Sequence, residues 1–177
     1  MQRINVVGTS GSGKTTVARR IAEALRFPHV ELDALHWEPG WEEAPIDVFR
    51  ERVSESTRGS QWVVDGNYGK VRDIVWGRAD TVVWLDYGFP RIFLRLLWRT
   101  LRRGVLRERL WNDNRESLTL ALSKDSILLW AIKSYPKNKE EYPKWMSSLE
   151  YAHIRFLRQD SPRETEAWLK SLGSGSD

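Results

Sequence analysis

Residues Gly8-Thr9-Ser10-Gly11-Ser12-Gly13-Lys14-Thr15 satisfy the pattern G-x-x-x-x-G-K-[ST] at every fixed position. A short β-branched run, Arg3–Val7, precedes them. Lys14–Leu25 follows, with Val17, Ala18, Ile21, Ala22 and Leu25 at helical spacing. Glycines at these positions let the backbone turn with its N–H groups aimed inward, which makes a nest for phosphate oxygens. The positive end of the following helix adds to that field. Lys14 is placed to reach β- and γ-phosphates, and the Thr15 hydroxyl to ligate Mg²⁺. A glycine turn that merely joins strand to helix is the plainer reading, but the complete pattern in its required context outweighs it. Gly8, Thr9, Ser10, Gly11, Ser12, Gly13, Lys14, Thr15 and Thr16 are therefore the nucleotide-binding candidates, with ATP and Mg²⁺ as the expected cofactors.

The rest of the chain alternates in the same way. His29–Leu32 reads as a second strand ending at Asp33. Pro45–Thr57 has Ile46, Phe49 and Val53 at helical intervals, with Gly59 as its stop. Gln61–Asp65 and Thr81–Leu85 read as strands three and four. Pro90–Arg103 reads as a helix stopping at Gly104, with Phe93, Leu94, Leu97, Trp98 and Leu101 on one side and arginines on another. Ser126–Ser134 and Lys137–Glu150 read as two further helices, and His153–Leu157 as a fifth strand. The last helix opens on Ser161 as N-cap, with Pro162 at its first position and Glu164 closing a capping box. Such alternation predicts an α/β protein with a parallel sheet covered on both faces. One domain over residues 1–172 is expected, with an acceptor-binding region near 33–60, a lid near 104–125 and a flexible tail at 173–177.

Composition excludes several chemistries. There is no cysteine, so disulfides, thiolate zinc sites and thiol nucleophiles are out. No run of 18 apolar residues appears and the N-terminus does not read as a secretory signal, so no membrane partner and a cytoplasmic location are expected. The formal net charge is +4, yet residues 91–115 hold eight arginines against Glu108 and Asp113, a local charge of +6. The positive field is thus local and points to an anionic partner at one place.

A magnesium site needs further oxygen ligands, usually a carboxylate. Asp65 ends the third strand before Gly66, where ligands bind in open α/β sheets, and is the candidate metal-side acid alongside Thr15. Its alternative is a turn-forming Asp-Gly. Asp33, two residues after Glu31, is the candidate acceptor-side group, as hydrogen-bond acceptor and general base; its alternative is a helix N-cap. The arginine stripe has almost no i,i+4 acid to pair with, which favours anion binding over a merely solvated face. Arg99 and Arg103 are assigned to the transferring phosphates, and Arg107 or Arg115 to closing over them. Most of the ten tryptophans, such as Trp62, Trp84 and Trp130, lie in apolar runs and are core candidates. Trp37 and Trp41 either wall an acceptor pocket or anchor a loop.

These motifs, taken in order, resemble the P-loop kinases of the nucleoside-monophosphate kinase and shikimate/gluconate kinase group. The resemblance implies a three-layer fold with a five-stranded sheet of order 2-3-1-4-5, helices on both faces and a helical lid. Asp65-Gly66 resembles the start of the adenylate-kinase Asp-Gly-Phe-Pro-Arg motif, although Asn67-Tyr68-Gly69 replaces its remainder. Arg99-x-x-x-Arg103 resembles the arginine pair before the lid, Arg115 a lid arginine, and Ser161-Pro162-Arg163 the adenine-side loop, which adds Ser161 and Arg163 to the nucleotide site. Glu31-x-Asp33 is similar to the shikimate-kinase Asp-x-Asp, and Asp33-Ala34-Leu35-His36 to gluconate kinases. The Glu31–Trp37 stretch, Val64–Tyr68, Leu110–Glu116 and Ser161–Glu164 are together similar to bacterial adenylate-kinase-related proteins labelled "DNA topology modulation".

The expected activity is Mg-ATP-dependent phosphoryl transfer to a small acceptor, a nucleoside, nucleotide or hydroxy compound, by a monomer or homodimer. The competing reading is a nucleotide-dependent DNA-binding protein using the arginine surface, although no helix-turn-helix, zinc finger or stacking platform is visible. A hydrolase switch is a third.

Overall fold

The computed structural model describes residues 1–106, 112 and 127–173, with backbone alone at 103–106. Five parallel strands form one sheet: β1 (Arg3–Gly8), β2 (His29–Glu31), β3 (Trp62–Asp65), β4 (Thr81–Leu85) and β5 (Arg155–Gln159), in the order β2-β3-β1-β4-β5. The α-helices among the described residues are α1 (Lys14–Leu25), α2 (Leu32–His36), α3 (Ile46–Ser56), α4 (Arg72–Arg78), α5 (Phe89–Leu106), α6 (Ile127–Met146) and α7 (Pro162–Gly173).

Alternation along each central strand sends side chains into two cores. Ile4, Val6, Val63, Val83 and Leu85 pack with Val17, Ala18 and Ile21 of α1 and Leu169 of α7. Val7, Val64, Val82 and Trp84 pack with Phe49 and Val53 of α3, Val75 and Trp76 of α4, and Tyr142 of α6. Asn5 is the polar exception in β1. Its Nδ2 donates to the carbonyls of Val64 (3.1 Å) and Gly66 (3.3 Å), and its Oδ1 accepts from Trp76 Nε1 at 2.8 Å. A buried amide so satisfied fixes the path of the chain as it leaves β3.

Several expectations need correction. β2 stops at Glu31 and Asp33 lies in the first turn of α2, whose N-cap is Glu31, so Asp33 neither ends the strand nor caps the helix. α2 and α4, of five and seven residues, are too short to declare a helical period in sequence. α5 runs through Gly104 to Leu106. Among its described side chains, Ile92, Leu96 and Thr100 are buried, whereas Leu94, Trp98 and Leu101 are exposed. The sequence shows the period of that helix but not which arc meets the sheet. α6 is one helix containing Pro136 and Pro143 in place of the expected pair. Both prolines are exposed, while Ala131, Asn138 and Tyr142 keep one face buried throughout. β5 starts two residues later than expected. Trp62 and Trp84 are buried at 1% and 2% exposure, but Trp130 is exposed at 63%. At α7, Glu164 N donates to Ser161 Oγ at 3.2 Å, while Glu164 Oε2 accepts from the backbone N–H of Asp160, one residue earlier than a capping box requires.

Candidate active site

The phosphate loop lies between the end of β1 and the start of α1, bordered by β3, β4 and α5. Gly13 caps α1 in the left-handed region (φ 96°). Gly11 is also left-handed (φ 88°), and a Cβ there would sit 2.8 Å from the Ile92 carbonyl of α5. Glycine is therefore required both by backbone conformation and by the closeness of α5. Ser12 N–H donates to Thr9 O at 3.0 Å, closing the turn, and the Ser12 hydroxyl is buried with no hydrogen-bond partner among the described residues.

Lys14 Nζ folds back over this loop, donating to Gly8 O at 2.9 Å and Thr9 O at 3.5 Å. Burial holds its pKa below the ordinary lysine value, opposed by the charges of Asp33 and then Asp65, and assisted by the positive charge of Arg99. The Thr15 hydroxyl donates to Asp65 Oδ1 at 3.0 Å. The second oxygen of Asp65 meets His29 Nε2 at 2.7 Å, so this nearly fully buried carboxylate is held between the start of α1 and β2.

Asp33 accepts a hydrogen bond at Oδ1 from the Tyr68 hydroxyl. The Tyr68 hydroxyl also interacts with the Trp37 side chain. Burial, followed by the charge of Asp33, raises the phenol pKa well above its ordinary value, which keeps it a neutral donor. Beside this pair lies a small open pocket of about 240 Å³, including solvent at its mouth, whose polar lining comes from Asn5, Asn67, Tyr68, Arg72 and Tyr142. The Arg72 guanidinium stacks 3.6 Å from the Trp145 ring centroid and 5.4 Å from that of Trp76, and it has no ion-pair partner among the described residues. Trp37 and Trp41 meet edge-to-face at 5.7 Å, with Trp41 in the left-handed region (φ 62°).

Among the arginines, Arg95 reaches the loop directly. Its Nη1 lies 3.5 Å from Ser12 O, and its Nη2 lies 3.1 Å from where a Gly13 Cβ would stand. Arg99, one turn on, makes its charge felt at Lys14. The Arg103 side chain, Arg107, Arg115 and nearly all of the expected lid lie outside the described residues. The Ser161 hydroxyl caps its own helix, and Arg163 is exposed.

Three contributors escaped the sequence. One is Arg95. Asn138 of α6 donates from Nδ2 to Thr9 Oγ1 at 3.1 Å, both groups buried, which ties α6 to the phosphate loop. Asp86, just past β4, pairs with Lys139 at 2.8 Å and with Arg158 Nη2 at 2.7 Å. Only the stripe containing Arg95 left a mark in sequence; the other two depend on contacts between distant segments.

No family model matches the chain, and no curated protein does. Solved structures do. A gluconokinase from Sinorhizobium meliloti 1021 aligns over 98% of this chain and 94% of its own at 22% identity, with a TM-score of 0.54. A shikimate kinase from Bacteroides thetaiotaomicron aligns over 98% and 97% at 17% identity (TM-score 0.55). A shikimate kinase from Acinetobacter baumannii, in complex with shikimate, aligns over 97% and 90% at 16% identity (TM-score 0.57). The likeness extends along nearly the whole chain and is one of fold, in agreement with the sheet order 2-3-1-4-5.

Proposed function

We propose that this protein is a P-loop kinase that transfers a phosphoryl group from Mg-ATP to a hydroxyl of a small anionic acceptor. The observation that carries this reading is the 3.0 Å hydrogen bond from Thr15 to Asp65 beside the loop over which Lys14 folds, since a hydroxyl, a carboxylate and an ammonium gathered there suit a magnesium nucleotide. Asp33, held by Tyr68, supplies the acceptor-side carboxylate, and its charge acts on Lys14.

The residues present fit a magnesium nucleotide. Thr15 and Asp65 offer a hydroxyl and a carboxylate, hard oxygen donors suited to Mg²⁺. No group of three or more His, Asp or Glu gathers among the described residues, so the remaining ligand positions fall to phosphate oxygens and water, the usual arrangement for this ion. The spare Ser12 hydroxyl and the α1 amides supply further donors. Bound Mg-ATP supplies the phosphoryl group and part of the charge neutralisation.

The chain's own residues do the rest by positioning and electrostatics. Lys14 exchanges its loop carbonyls for phosphate oxygens. Arg95 and Arg99 hold positive charge beside the loop, and this position also argues against their reading a DNA backbone. Tyr68 holds one oxygen of Asp33, leaving the other to orient the acceptor hydroxyl and take its proton. Arg72, fixed by Trp145 and without a carboxylate partner among the described residues, favours an acceptor bearing a carboxylate or phosphate. Gluconokinase and shikimate kinase are likewise named for small acceptors.

ADP production from Mg-ATP is measured across a panel of sugar acids, cyclic hydroxy acids, nucleotides and their neutral counterparts. Acceptor-stimulated turnover that Lys14→Ala abolishes supports the proposal. Nucleotide binding with no stimulation by any acceptor, alongside salt-sensitive DNA binding, refutes it. Full-rate transfer by Asp33→Asn removes the role given to Asp33.

A further inference from the structure

One imidazole reaches the phosphate site from the edge of the sheet. His29 opens β2, an edge strand of only three residues. The parallel register sets His29 beside Val63 and Glu31 beside Asp65. Alternation turns Val63 and Asp65 to the same face of β3, the one that α1 covers. His29 therefore stands diagonally behind Asp65, on the side away from the start of α1. Its Nε2 meets Asp65 Oδ2 at 2.7 Å, and the two side chains are 16% and 4% exposed. An ionised carboxylate only accepts, so Nε2 carries the proton and donates. The other oxygen, Oδ1, accepts from the Thr15 hydroxyl at 3.0 Å.

The two donors differ in what a cation does to them. The Thr15 hydroxyl has lone pairs of its own and can turn its hydrogen away when a cation arrives beside Oδ1. A protonated ring nitrogen has no lone pair to offer, so His29 remains a donor to Oδ2 throughout. The last torsion of an aspartate side chain is broad, and a carboxylate without that donor is free to swing. Held at Oδ2, it keeps Oδ1 turned toward Thr15. Outer partners of this kind orient the groups that bind metals. A staple between β2 and β3 is the plainer role for this contact. Yet β2 is already joined to β3 by its ladder and anchored just beyond by Leu32, buried at 1%.

Resting on the magnesium-nucleotide reading, we infer that His29 is a positioning residue: its hydrogen bond to Oδ2 fixes the rotation of Asp65, so that Oδ1 faces the cation held with Thr15.

The full-length chain is titrated with Mn²⁺ in the presence of ADP, free Mn²⁺ being counted by electron paramagnetic resonance. His29→Gln keeps an N–H donor on a side chain of similar reach, whereas His29→Leu removes it. His29→Leu is expected to weaken Mn²⁺ binding by about tenfold or more, and His29→Gln by about threefold at most. ADP affinity in EDTA should be the same in all three chains. In an Asp65→Asn background, His29→Leu should weaken Mn²⁺ binding no further, because it acts through that carboxylate. Undiminished Mn²⁺ affinity in His29→Leu overturns the inference, as does a His29→Gln variant as weak as His29→Leu. A loss that persists in the Asp65→Asn background, or that extends to ADP in EDTA, overturns it in favour of a staple between strands. A natural chain that binds no Mn²⁺ with ADP refutes the magnesium-nucleotide reading itself, and the role of His29 falls with it.

Discussion

The Thr15 hydroxyl donates to Asp65 Oδ1 at 3.0 Å, linking the first turn of α1 to the end of β3 across the site proposed for the metal. In this arrangement the carboxylate, further held by His29, is oriented before any ion arrives.

Replacing Asp65 by Asn keeps the shape and removes the charge. Magnesium dependence is expected to shift so that half-maximal activation needs roughly 10–100-fold more Mg²⁺. Calorimetric affinity for nucleotide in EDTA should change far less. Unaltered magnesium activation in Asp65→Asn would remove this residue from the metal site.

Asn138→Ala tests the tie between α6 and the phosphate loop. Its Nδ2 is the donor to the buried Thr9 hydroxyl, and truncation leaves that buried oxygen without this partner. Urea unfolding should show a loss of about 1–3 kcal/mol. Because Thr9 belongs to the loop, nucleotide affinity should fall as well. A stability loss with unchanged nucleotide affinity would mean that the contact only packs α6.

Asp86 joins three segments, bonding Lys139 of α6 and Arg158 of β5 from the end of β4. Breaking a fully buried pair costs about 3–5 kcal/mol. Here the carboxylate is buried, but Lys139 and Arg158 are 37% and 49% exposed, so water takes over part of their charge when the partner is lost. Asp86→Ala is therefore expected to lose roughly 1–3 kcal/mol in urea denaturation, and the double variant Asp86→Ala/Arg158→Met less than the sum of its parts.

The sequence disclosed those parts of the site that are local. The β1–loop–α1 unit was legible because its glycines, lysine and threonine act through backbone conformations fixed within eight residues. Asp65 was legible because Asp-Gly after a β-branched run marks a strand end. Asp33 was identifiable as a candidate, but its helix was not: the five residues Leu32–His36 complete little more than one turn and are stabilised by packing against α3. Arg95 was one turn from the arginines chosen, because the angle at which α5 crosses the loop is set by Ile92 and Leu96 against the core. Asn138 meets Thr9 across 129 positions, and no local pattern records such a meeting.

His36 gives the pH dependence of stability. Its ring lies against Trp37, Phe49 and Tyr68 at centroid distances of 4.8, 4.9 and 4.6 Å, with 3% exposure, and Nδ1 has no hydrogen-bond partner among the described residues. Burial lowers its pKa below 6.5, outweighing the opposing charge of Glu43. A folded-state value below the unfolded one means that the unfolded chain takes up the proton first. The stability from burying the neutral ring is thus complete above about pH 6.5 and drains away as pH falls toward the folded-state pKa, by at most about 1.4 kcal/mol per pH unit. His36→Phe keeps an aromatic ring in the cluster and removes the proton site. Urea midpoints at pH 7.5 and pH 5.5 should therefore differ more for the natural chain than for the variant. Equal differences would mean that His36 does not set the acid sensitivity in this range; the carboxylates Asp73 and Asp80, whose pKa values are lowered on folding from 3.8, lose their contribution only at lower pH.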